Sequence, residues 1–197
     1  MKKLLKFNLD ELAEIMPVLD RCEMKKIVGG DIYYLNASGK LVNVVTDSSV
    51  NKIVCEGDSS GFILPSTTTV CSGNYGINNR SGLAISGGNA KLFEYLANNT
   101  DVEWGMSSNN SDEKNGKKGT SNAYITTNYD HSTVDIHPLP GYTNYTHNHP
   151  EGSGPSWGYD DNVKAAYSKN GRQGQQQGLS YKNWGVYKGK DNGYEYF

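Results

Sequence analysis

A chain of 197 residues has room for one ordinary domain and an appendage, not for two full cores. Its 21 acidic against 19 basic side chains, a net charge of -2, leave no electrostatic footprint for nucleic acid or anionic lipid, and no run of about 18 apolar residues is present to cross a membrane as a helix. With 36% hydrophobic residues, 23 glycines, 14 tyrosines and 3 tryptophans, the chain is polar and loop-rich, yet has large aromatic surfaces to bury, which argues against disorder throughout.

The amino end starts with basic residues, but Asp10, Glu11 and Glu14 interrupt what would be the apolar core of a secretory signal. Pro17 starts or kinks a helix on which Met16, Leu19, Met24 and Ile27 align largely on one side. Cys22, within it, reads as an ordinary thiol. The segment ends in Gly29-Gly30, and counted back from Gly30 the apolar residues Ile27, Met24, Leu19 and Met16 stand four, seven, twelve and fifteen places from the end. This register resembles the double-glycine leaders of exported bacterial peptides, which dock on the papain-like peptidase domain of an ABC exporter. Two residues without Cβ suit entry into a narrow peptidase groove. The resemblance implies a leader over residues 1–30, cleaved after Gly30, and a secreted product beginning at Asp31. The plainer alternative is an amphipathic helix packed on the domain.

Residues 31–88 read as a β-hairpin followed by an irregular region. "DIYYLNASGKLVNVVTD" alternates apolar and polar residues around a turn, and "NKIVCEGD" adds a third short strand. The Ser-, Thr-, Gly- and Asn-rich stretch to Gly88 reads as an irregular arm. Cys55 and Cys71 are the two cysteines left after leader removal and form a candidate disulfide; the alternative is two reduced thiols. They lack the spacing of a thiolate zinc site.

From residue 89 onward regularity returns. Leu92, Phe93, Leu96 and Ala97 have helical spacing, with a polar stop at "ANNTD". "VEWGM" follows as a short strand, then a polar loop, then strands at "NAYITTNYD", "TVDIHPL" and "GYTNYTH". A helix is expected over "DDNVKAAYSKN", and two aromatic strands flank a turn at Asp191, Asn192 and Gly193.

The chemistry concentrates in "THNHPEGSGPSWGYDD". Alternate residues of a strand face one side, so His147 and His149 direct both imidazoles at one point. Pro150, Gly152 and Gly154 return the chain to a helix start, where Asp160 or its neighbour Asp161 supplies a third ligand. Two histidines and one carboxylate leave a coordination position open, the pattern of a catalytic zinc. His131 and His137 lack such spacing and read as structural. Trp104, Trp157 and Tyr159 either shape a groove or pack inside.

"HNHP" with a downstream Ser and Asp resembles the JAB/JAMM metallopeptidase motif. The order helix, strand, Glu103 before it, together with the 31–40 hairpin, resembles the JAB-like toxin domains at the ends of bacterial polymorphic toxins. The resemblance covers roughly residues 89–197. It implies an α+β fold, a small mixed or antiparallel sheet flanked by helices, in the cytidine-deaminase-like JAB/JAMM architecture. It also implies Zn2+ on His147, His149 and Asp160 (alternatively Asp161), with Glu103 as general base and Ser156 as oxyanion donor. Glu94 and Glu113, on the helix and in the polar loop, are the rival glutamates and read as surface charges. The chain departs from the motif in two respects: six residues separate His149 from Ser156 and three separate Ser156 from Asp160, so the aspartate keeps the family's overall spacing while the serine falls one place early, and one residue rather than two separates Glu103 from Gly105. The function implied is an exported toxin that hydrolyses a protein or peptide substrate and is paired with an immunity protein. A secreted, bacteriocin-like binding protein with a structural metal is the alternative.

Overall fold

A computed structural model describes residues 30–75, 78–108, 123–135, 142–153 and 183–196. Eleven strands and one helix lie among these residues. The strands form two sheets. The smaller has the order β2-β1-β3-β4, from β1 (Gly30–Leu35), β2 (Leu41–Ser48), β3 (Lys52–Cys55) and β4 (Phe62–Ile63). The larger comprises β5 (Thr69–Tyr75), β6 (Arg80–Gly88), β7 (Gly105–Ser108), β8 (Ala123–Thr127), β9 (Asn144–Asn148), β10 (Asn183–Tyr187) and β11 (Tyr194–Tyr196), in the order β11-β10-β9-β7-β8-β6-β5. Among the described residues only the β1–β3 and β9–β10 pairs are parallel.

The helix-flanked α+β architecture expected from the family resemblance is therefore corrected: the described residues are mostly strand, with a single short helix. The difference arises in the supposed irregular arm, which forms β4, β5 and β6. Part of its polar content bonds across the sheet, and the rest, including Ser72, Asn74 and Ser81, is exposed. The hydroxyls of Thr69 and Ser86, an opposed pair, bond to each other, and the Thr68 hydroxyl donates to the Gly87 carbonyl. Gly82 lets β6 lie against the Thr127 backbone, where any Cβ would collide with that carbonyl. A composition that suggests loop to the eye thus suits a close-packed strand pair.

The helix, α1 (Ala90–Asn99), starts where Asn89 caps it by accepting from the Leu92 amide. Leu92, Phe93 and Leu96 are fully buried. One side of α1 meets the small sheet: Tyr95 packs at a tilt against Phe62, accepts from the Cys55 amide and donates to Asp58. Another side meets the large sheet, where Phe93 packs edge-on against Tyr187 and Asn98 bonds its hydroxyl. One hydrophobic cluster consequently joins Tyr33, Leu35 and Ile53 of the small sheet to Leu83, Ile85, Met106 and Ile125 of the large one.

The Cys55–Cys71 bridge is not formed. Cys55 is a free thiol. Burial pushes the Cys55 thiol up to about 12, so it stays protonated and unreactive. Gly30, the last residue of the expected leader, opens β1 opposite Ser48; Gly29 lies outside the described residues. Among the described residues no helix is long and apolar enough to cross a membrane.

Candidate metal centre

The centre is built where β9 ends. This strand lies inside the large sheet, between β7 and β10, and all five of its residues are buried. His147 is its penultimate residue and His149 follows it immediately, so both rings project to the same side. Their Nε2 atoms are 3.0 Å apart and their ring centroids 4.9 Å. Two nitrogens on one tetrahedral zinc, each at 2.0–2.1 Å, are separated by roughly 3.3 Å. The imidazole pair therefore fits a shared ion with a shift of a few tenths of an ångström.

Glu103 reaches the same point from the neighbouring strand. The expected strand "VEWGM" begins only at Gly105, so Glu103 lies just before β7 rather than in it. The register pairs Gly105 with His147, which carries the Glu103 carboxylate to the imidazoles: Oε1 is 3.9 Å from His149 Nε2. That is too long for a direct hydrogen bond and suits a water held between the two groups. Glu103 and His147 are only 7% and 6% exposed, so a charge there is poorly screened by solvent.

Residues 86–177 match the family model described as JAB-like toxin 1. The chain carries a JAB-like toxin domain. The matched span contains Glu103, His147, His149, Ser156 and Asp160. No curated protein and no solved structure matches the chain.

Within the JAB-like toxin domain, Glu103 is held by its backbone. Its amide donates to the Asp130 carbonyl, and the Asp101 amide donates to the Ala37 carbonyl in the β1–β2 turn. Asp130 itself is fixed: its carboxyl is held down to about 2, chiefly by the Ser132 amide, and it pairs with Arg80 at 3.1 Å. The turn from the small sheet also presses on this segment. Gly39 has φ +67, and a Cβ there would meet the Val102 side chain at 2.9 Å and Trp104 at 3.2 Å.

His149 is oriented by a residue that the sequence did not single out. Its Nδ1 is 3.0 Å from the Ser153 hydroxyl; in the tautomer that donates from Nδ1, the Nε2 lone pair faces the centre. The position of Ser153 in the glycine turn, four residues past His149, was the available signal. Glu94, the rival glutamate on α1, accepts from the Tyr194 hydroxyl. Trp104 is fully buried, a packing residue rather than a groove wall, and His131 is exposed. Among the described residues no three His, Cys, Asp or Glu side chains form a metal-binding group. The expected third ligand, Asp160 or Asp161, lies outside the described residues, as do Ser156, Trp157, Tyr159, His137 and Glu113.

Proposed function

We propose that the JAB-like toxin domain is a zinc-dependent peptidase or isopeptidase. The observation that carries this reading is the convergence of His147, His149 and a buried glutamate inside the family-matched segment. Zinc would be held by the two imidazoles and by Asp160, with Asp161 as the alternative, and when bound supplies an acidified water and an electrophile for the scissile carbonyl. Glu103 takes the proton of the attacking water and returns it to the leaving amine. Ser156 donates a hydrogen bond to the oxygen on which negative charge grows. The substrate is a protein or peptide, and a cell making such a toxin needs an immunity protein.

The test uses the full chain. Zinc content is measured together with the formation of new amino groups in a denatured bacterial proteome. We expect His147→Ala combined with His149→Ala to lose the metal and the cleavage together. Stoichiometric zinc in that double variant would refute the ligand assignment. Zinc bound by the unaltered chain with no new amino groups formed would favour a structural metal instead.

Export follows the double-glycine reading: residues 1–30 act as a leader for an ABC exporter with a papain-like peptidase domain. The expected intact mass of secreted material is that of Asp31 to Phe197. Secreted protein still beginning at Met1 would remove this part of the proposal.

A further inference from the structure

We infer that Asn148, the residue between the two histidines, is a positioning residue that aims the Glu103 carboxylate; the inference rests on the peptidase reading above. The antiparallel ladder of β7 and β9 runs through Ser107↔Tyr145, Met106↔Thr146 and Gly105↔His147. The next pair in register is Trp104 and Asn148. Here the Asn148 amide still donates to the Trp104 carbonyl at 3.1 Å, but the return bond changes partner. The Trp104 amide donates at 2.6 Å to the side-chain Oδ1 of Asn148. The same carboxamide donates from Nδ2 to the Val102 carbonyl at 3.2 Å.

One side chain thus holds the peptide groups on both sides of Glu103. With a side-chain carbonyl in place of the main-chain one, the pair stays closed at the Trp104 carbonyl and opens at the Trp104 amide, on the side of Glu103. Glu103 thereby leaves the pleat of β7 at the level of the histidines, and its own amide turns to Asp130. The carboxamide accepts from the N–H through its oxygen and donates to the C=O through its nitrogen at once, which neither an apolar side chain nor a carboxylate can do. Asn148 is 2% exposed, so water does not replace either bond if the side chain is lost. Its place in the strand fixes its direction: His147 and His149 face the centre, and Asn148 faces the neighbouring backbone.

The test is a double-mutant cycle in the full chain, reading new amino groups in the denatured proteome and zinc content. Asn148→Ala is expected to slow cleavage by about 10- to 100-fold with zinc stoichiometry unchanged. In a Glu103→Gln background the same substitution should change the residual rate by less than about twofold, because the group it positions has already been disabled. Should Asn148→Ala fail to fold, Asn148→Ser serves: it is uncharged and polar but too short to reach both the Trp104 amide and the Val102 carbonyl, and should show a loss with the same dependence on Glu103. An equal loss in both backgrounds, or loss of zinc, would overturn the inference alone. A Glu103→Gln variant as fast as the unaltered chain would overturn the peptidase reading and this inference with it.

Discussion

Glu103→Gln is expected to lower the cleavage rate by about 10²- to 10⁴-fold, the usual contribution of a positioned general base. The substitution keeps the size and planarity of the side chain, so the fold and both imidazoles should be undisturbed. Glu103 N–H remains bonded to the Asp130 carbonyl, since that bond does not involve the side chain. What is lost is the ability to take a proton. A carboxamide 3.9 Å from His149 Nε2 can still hold a water but cannot act as its base. Zinc content measured beside the rate separates the roles. Metal retained with activity lost marks a base, whereas metal lost would make Glu103 a ligand and count against the assignment.

Trp104→Ala should cost about 3–5 kcal/mol of folding stability, the range for truncating a fully buried large aromatic residue. Trp104 is completely buried, and its indole N–H donates at 2.8 Å to the Thr100 hydroxyl, which in turn donates to the Leu96 carbonyl at the end of α1. Removing the ring leaves a cavity under the β1–β2 turn and a hydroxyl without its donor, and both effects destabilise. Trp104→Phe keeps much of the volume and loses the hydrogen bond, so its cost should be clearly smaller. Urea unfolding of the two variants measures the difference. A loss of under 1 kcal/mol for the alanine variant would show that the turn collapses onto the vacated space.

The parts of this molecule that were legible in its sequence are those in which one local pattern decides the outcome. The alternation in "DIYYLNASGKLVNVV" places β1 and β2, and the spacing of Leu92, Phe93 and Leu96 places α1. The aromatic pair of strands at the end follows from its turn, where Gly193 takes φ +62. The convergence of His147 and His149 needed only the two-residue period of a strand. The illegible parts depend on partners far along the chain. β5 and β6 carry serine, threonine and glycine because they answer each other and Thr127, a requirement with no local signature. Asn148 looks like a filler between histidines until the Trp104 amide is placed beside it. Cys55 and Cys71 are sixteen positions apart in the sequence, and nothing in that spacing reveals that one lies in the small sheet and the other in the large one.

The contact of the β1–β2 turn with the Glu103 segment has a consequence for folding. Ala37 and Gly39 precede the family-matched span of 86–177, and so does all of β5, while β10 follows it. The histidine strand has Val186 and Tyr187 as parallel neighbours, reached only after a long excursion of the chain. Contacts of such high sequence separation carry the entropic cost of closing large loops. The geometry around Glu103 and the histidines therefore rests on contacts from residues on both sides of the segment shared with the family.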